Sequence, residues 1–219
     1  MVEIRVFGPA DLDDLYSICL ATGAGGNDAS ALYRDPKLVG HVYAAPYARL
    51  SPRSVFVVED AEGVGGYIVG APDTREFEIR LEAEWWPSLR KLYPDPVNEP
   101  RAGWSRDQSM RYKIHHPGRT ASEIVEPYPS HLHINLLPRL RGRGFGRRLM
   151  ARWLGTVRDM GSPGAHLAVG ADSQPAIGFY RACGFHELKR QPKPASGPVW
   201  FAIDLTRGRG GSCTEQTAG

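Results

Sequence analysis

Apolar positions change their period along the chain, and each change marks an element. Residues 3–7 (EIRVF) have strand character and Gly8-Pro9 ends the run; over residues 10–20, Leu12, Leu15, Ile18 and Cys19 recur on one face of a helix. Residues 38–50 predict a second helix, interrupted by Pro46. Two β-branched runs, 54–59 (SVFVVE) and 64–70 (VGGYIVG), flank the acidic, Gly-containing turn 60–63 and predict a β-hairpin, the antiparallel start of a sheet. Residues 72–129 break this pattern: 77–92 reads as a helix with Trp85, Trp86, Leu89 and Leu92, and the rest is rich in Pro, charge and aromatics, including Trp104, Tyr112, His115 and His116. A connection this long is usually functional. It is expected to be an insertion covering the mouth of a site, the alternative being a surface elaboration on the sheet edge.

The period changes twice in quick succession between residues 131 and 160, HLHINLLPRLRGRGFGRRLMARWLGTVRDM. Leu132, Ile134 and Leu136 alternate with His131, His133 and Asn135, the period of a strand with two different faces, and Pro138 closes it. Leu149, Met150, Trp153, Leu154 and Val157 then form a helical stripe that Gly161 stops. Between strand and helix, Gly142, Gly144 and Gly146 alternate with Arg141, Arg143, Phe145 and Arg147. Without Cβ atoms, the glycines let the backbone curl and present N–H donors where the helix begins, a cradle suited to a diphosphate. Two better-known phosphate loops do not fit. The Walker pattern needs a terminal Gly-Lys-Ser/Thr, and the dinucleotide fingerprint needs glycine where Arg147 stands. A basic, Gly-rich turn that binds nothing is the competing reading of this stretch alone.

Downstream, residues 166–169 (HLAV) predict a short strand, and residues 170–185 (GADSQPAIGFYRACGF) a helix capped by Asp172 or Ser173 and ended by Gly184, with Ile177, Tyr180 and Cys183 near one face. Residues 185–189 and 199–205 close the sheet around a Pro-rich loop, and residues 206–219 form a Gly-rich tail expected to be disordered. The 219 residues suffice for one substantial domain, 1–205. With 27 Lys and Arg against 24 Asp and Glu, a formal charge of +3 is too balanced to argue for a nucleic-acid or membrane partner. Cys19, Cys183 and Cys213 share no ligand spacing and fit reduced thiols. No signal peptide opens the chain and no apolar run approaches the ~20 residues of a membrane span, so a cytoplasmic protein, monomeric or homodimeric, is expected.

The order of strand, R-G-R-G-F-G, helix, strand and D-S-Q-P-A-I-G-F-Y-R-A-C-G-F resembles the GNAT acetyltransferase superfamily. Its acetyl-CoA loop reads Arg or Gln, two residues, Gly, one residue, Gly or Ala, positions filled here by Arg141, Gly144 and Gly146. Its later segment is matched by Ala176, Phe179, Tyr180, Gly184 and Phe185, with Ser173 standing where Asn is usual. A closer resemblance covers most of the chain and is to the acetyltransferase-like domain at the C-terminus of O-GlcNAcase, here expected as a free-standing protein. In the eukaryotic hydrolases that loop is degraded; this chain keeps it. The resemblance implies an α/β (α+β) GNAT fold: a mixed, mostly antiparallel sheet of about seven strands with helices on both faces, and a long insertion between strands 3 and 4.

It also implies direct transfer from acetyl-CoA, the cosubstrate, to an amine. The amides of residues 141–147 (Arg141, Gly142, Arg143, Gly144, Phe145, Gly146, Arg147) would hold the diphosphate. Backbone groups of Asn135, Leu136 and Leu137 would pair with the pantetheine arm where the strand splays from its neighbour. Ser173 belongs to the same cofactor set, and Tyr180 would protonate the departing thiolate. His133, sharing a strand face with His131, is the candidate base, with Glu126, Asp172, His115 and His116 as competitors. The histidines lack matching thiolates or carboxylates for a metal site. The acceptor, a small molecule or a protein lysine, has no signature. The rival function is an acetyl-CoA-binding pseudo-acetyltransferase or peptide-recognition module without turnover.

Overall fold

The computed structural model describes residues 2–188 and 198–206. The first strand, β1 (Glu3–Val6), leads into α1 (Leu12–Ala21). The expected second helix divides into α2 (Leu38–Tyr43) and α3 (Ala45–Leu50), broken at Ala44 (φ −136°, ψ −61°) so that Pro46 falls in the first turn of α3, where its missing N–H costs nothing. The hairpin then follows as β2 (Phe56–Asp60) and β3 (Gly63–Ala71).

Residues 72–129 are more ordered than their composition suggests. Asp73 caps α4 (Thr74–Arg80) by accepting the Glu76 N–H at 2.9 Å. A π-helical turn, Leu81–Trp85, joins α4 to α5 (Trp86–Leu92). Two helices stand where the apolar pattern predicts none: α6 (Arg106–His115), opened by a Ser105/Gln108 capping box, and the single turn α7 (Ser122–Val125). Trp86, Leu89, Met110 and Ile114 bury a small core of their own against Leu38 of α2.

The chain re-enters the sheet as β4 (Ser130–Leu136), turns through Pro138–Leu140 and forms α8 (Phe145–Asp159). The strand β5 (Gly164–Val169), helix α9 (Gln174–Ala182), the two-residue β6 (His186–Glu187) and β7 (Val199–Asp204) complete the described fold. Most of the Pro-rich loop before β7, and the tail after Thr206, lie outside the described residues.

Among the described residues seven strands run in the order β1-β2-β3-β4-β5-β7-β6. All neighbours are antiparallel except β4 and β5. Alternation along β2 and β4 sends side chains to two cores. Phe56, Ile68, Leu132 and Phe201 pack under α8 and α9, with Trp153 and Leu149 fully buried. On the other face Val57, Tyr67 and Val69 pack under α1, α3 and α4. The expected fold, seven strands with helices on both faces and the insertion between β3 and β4, is the one observed.

Candidate active site

A wedge opens in the middle of the sheet. β4 is paired with β3 along its length, from Ala71↔His131 to Gly66↔Leu136, but with β5 only at Ser130↔Ala165 and His131↔His166. Beyond these pairs β5 continues beside β7 to Val169↔Val199, so the edge of β4 from Leu132 to Leu136 faces a gap. A splayed pair inside a sheet leaves backbone donors and acceptors facing a space about one strand wide, able to pair with an extended ligand.

At the wide end of the wedge the chain makes the glycine loop. Gly142 (φ +71°) and Gly144 (φ +81°) take left-handed conformations that a side chain resists, and Gly144 serves as the N-cap of α8. Gly146 has a different reason: a Cβ there would lie 3.1 Å from the Phe179 ring and 3.3 Å from Leu136. Its place is thus set by packing against α9, not by room for a phosphate. Among the described residues, the amides of residues 142–147 donate no hydrogen bond, and the first turn of α8 carries no acidic side chain. Six free amides at the N-terminus of a 15-residue helix make an anion cradle.

The arginines divide their work. Arg141 Nε donates to the Leu136 carbonyl at 2.8 Å, and its other nitrogen reaches the Gly26 carbonyl, tying the loop to the segment after α1. Arg143 lies 5.4 Å over the Phe145 ring and donates to the Arg139 carbonyl at 3.3 Å. Arg147 is exposed, and none of the three forms a salt bridge among the described residues, although Arg143 lies close enough to Asp60 to help hold its carboxyl low.

Of the backbone groups expected to meet the pantetheine arm, those of two residues are committed to β3, because Asn135, opposite Tyr67 and two positions before the Leu137–Gly65 bond, turns its N–H and C=O to that strand and away from the gap. The Leu137 N–H donates to Gly65 O at 2.8 Å, leaving only its carbonyl, which already accepts the Leu140 N–H at 3.0 Å. The Leu136 carbonyl is shared with Arg141. Asn135 anchors its side chain on Thr22 Oγ1, which itself donates to Ile18 O at 2.7 Å, so this part of β4 is braced against the end of α1. Ser173 occupies the N-cap position of α9, and its hydroxyl makes no capping bond.

Tyr180 lies in α9 with its ring packed between Phe179, Phe185 and Phe201 at centroid distances of 5.4, 6.0 and 6.3 Å. Burial pushes its phenol well above the usual tyrosine value, so it stays protonated at neutral pH. Its hydroxyl has no partner among the described residues, yet it is not sealed in. The ring is held on three sides and its O–H is left free to donate.

On the opposite face three neutral histidines gather. Thr74 Oγ1 donates its only proton to Pro129 O at 2.7 Å, so at 2.8 Å it accepts from His131 Nδ1–H, and His131 Nε2 accepts the Tyr47 hydroxyl at 2.9 Å. Both His131 nitrogens are thereby used, which leaves neither for a metal or a substrate. His166 Nδ1 donates to Tyr128 O at 2.6 Å. His133 differs: both its ring nitrogens lack partners among the described residues, and its ring meets Tyr43 and Tyr47 edge-on at 5.5 and 5.6 Å. Burial, then the charge of Lys113, then His166 lower it to about 4, so it is a free base at neutral pH. The competitors lie elsewhere. Glu126 and Asp172 are exposed, His115 meets the Tyr93 carbonyl at 2.7 Å, and His116 meets Asp95 at 2.7 Å. Tyr43, Tyr47 and Lys113 escaped the sequence reading because their neighbourhood is made by tertiary contacts of α2, α3 and α6.

A splayed β4–β5 pair, a free-amide loop at the start of α8 and a buried tyrosine in α9 make up the candidate site, and comparison with known proteins gives its fold a family. Residues 13–185 match the acetyltransferase (GNAT) family, and the chain belongs to it. Protein O-GlcNAcase of Rattus norvegicus is 24% identical over 188 residues, covering 85% of this chain and 20% of that protein, so the chain spans about a fifth of that relative's length. The crystal structure of SsHAT is 34% identical with a TM-score of 0.84, covering 93% of this chain and 98% of that one. A structure of yncA from Salmonella typhimurium, a putative acetyltransferase with its cofactor acetyl-CoA, shares the fold at 13% identity and a TM-score of 0.55, over 93% of this chain and 94% of that one. The resemblances read from the sequence, to the superfamily and to O-GlcNAcase, are thus borne out. Among the described residues no helix is long and apolar enough to cross a membrane.

Proposed function

We propose that the protein is an acetyl-CoA-dependent N-acetyltransferase that moves the acetyl group directly to an amine in a ternary complex. The observation that carries this reading is the wedge: β4 leaves β5 after His131↔His166, beside six free amides at the start of α8. The diphosphate fits the amides of residues 142–147, with Arg147 free to add charge. The pantetheine arm fits the gap-facing edge of β4 at Leu136, flanked by Asn135 and the Leu137 carbonyl, and Ser173 offers its uncapped hydroxyl at the start of α9. The amine nitrogen attacks the thioester carbon and the C–S bond breaks. The thiolate takes the Tyr180 proton, while the proton released by the amine goes to His133. Holding the two reactants together supplies most of the rate.

Binding of acetyl-CoA without turnover is the second reading, and one observation favours it: at a pKa of about 4, His133 is a weak proton acceptor. Calorimetry with acetyl-CoA, followed by a free-thiol assay over a panel of amines, separates the two. Micromolar binding with amine-dependent thiol release is expected. Absence of binding at millimolar acetyl-CoA ends both readings, and binding with only slow hydrolysis leaves the second.

A further inference from the structure

Where α6 of the insertion faces α2 and the segment before it, carboxylates are used up and cations are not. Asp107 accepts the backbone N–H groups of Arg34 and Asp35 at 3.1–3.2 Å, and Asp35 accepts the Tyr93 hydroxyl and the Lys37 N–H, each at 2.8 Å. Arg106 and Lys113, two turns apart on one face of α6, have no carboxylate partner among the described residues. Lys113 Nζ donates to the Tyr43 hydroxyl at 2.7 Å and lies 5.4 Å over its ring. Because Tyr43 accepts there, its own proton is left for another partner. The same Tyr43 ring stands edge-on to His133.

The titratable and charged groups facing His133 are His131 from β4, His166 from β5, Tyr43 from α2, Tyr47 from α3 and Lys113 from α6. No carboxylate is among them. A site that accepts a lysine-type amine must offset an arriving ammonium; this one opposes it with the Lys113 cation. An acceptor that carries an anion near its amine meets a matched site, because Lys113 and the Tyr43 hydroxyl both donate.

We propose that the acceptor is an anionic amine, its carboxylate or phosphate held by Lys113 and Tyr43 and its nitrogen delivered to His133. This rests on the acetyl-transfer reading above. It also gives the insertion a role, since α6 then brings acceptor specificity to a site whose cofactor half is built from β4, α8, α9 and the loops that lead into the two helices.

The test is thiol release from acetyl-CoA with glutamate, glucosamine 6-phosphate, glucosamine and Nα-acetyl-lysine amide, for the wild type, Lys113→Met, Lys113→Glu and the charge control Lys91→Glu on the exposed face of α5. The wild type should favour an anionic amine over the neutral and cationic ones by roughly tenfold in kcat/KM. Glutamate over the sugar phosphate identifies a carboxylate, and the reverse a phosphate. Lys113→Met should remove the preference and Lys113→Glu should invert it, with acetyl-CoA affinity unchanged and Lys91→Glu behaving as wild type. A wild-type preference for the lysine amide, an anion preference that survives Lys113→Glu, or bound acetyl-CoA with no anionic amine turned over would each overturn the proposal. Failure of acetyl-CoA to bind strikes the transfer reading itself and is read separately by calorimetry.

Discussion

At the scale of single residues, the proposed transfer divides between the two faces of β4. Tyr180 sits on the α8–α9 face with a phenol that burial keeps protonated. Its replacement by Phe keeps the ring contacts and removes only the proton, so turnover should fall roughly a hundredfold with the acetyl-CoA Kd within about twofold of wild type. An unchanged kcat would show that the thiolate leaves unaided. His133 sits on the other face and is already neutral above about pH 4. In the wild type, any rise of kcat/KM between pH 6 and 9 therefore reports deprotonation of the acceptor amine, and the limb belonging to His133 lies below pH 5. His133→Ala should lower kcat/KM at every pH in that range and leave the shape between 6 and 9 intact. A change of shape there, with the low-pH limb retained, would assign the base to another group.

At the scale of elements, the glycine loop and the start of α8 carry two kinds of requirement that the sequence displays as one. Gly144→Glu forces a positive φ on a side chain and sets a carboxylate among free amides, so acetyl-CoA binding should weaken by at least roughly a hundredfold while most of the stability is kept. Gly146→Glu instead drives a side chain into Phe179 and Leu136, and should lower the melting temperature first, by an amount worth about 1–3 kcal/mol. Equal melting temperatures for the two variants would contradict this division. The difference was illegible in R-G-R-G-F-G because it depends on which way each Cα faces in the fold. The alternation of β4 was legible, and it sorted His131, His133 and Asn135 from Leu132 and Ile134 correctly because a strand's period needs no tertiary information. The splay after His131 was expected only through the family resemblance; nothing in HLHINL marks where pairing stops. In α6, Met110 and Ile114 alone are buried in ten residues, too sparse a stripe to reveal a helix, although the Ser105–Gln108 capping box was there to be read. The Lys113–Tyr43 contact spans 70 residues and could be found only in three dimensions.

At the scale of the whole molecule, the buried histidine cluster sets how the fold responds to acid. His131, His133 and His166 are all held below their ordinary value of 6.5, with burial the leading cause in each. The folded protein therefore binds fewer protons than the unfolded chain once pH falls below about 6.5, and unfolding stability rises with pH through that window. Stability is complete above it and declines as pH falls towards 4, by a slope of about 1.4 kcal/mol per pH unit for each histidine that has to charge, or roughly 3 °C in melting temperature. The carboxylates act later. Asp11, paired bidentately with Arg5 at 2.7–2.8 Å, is held below its ordinary 3.8, so its contribution is intact until pH falls past that value. A plot of melting temperature against pH should accordingly bend twice, first between 6.5 and 4 and again below 3.8. His133→Phe, which keeps a ring against Tyr43 and Tyr47, should make the first bend shallower and leave the second in place. A melting temperature flat from pH 7 to 4.5 would mean that these histidines already share their protons with the solvent, and with that the case for His133 as a ready neutral base would go as well.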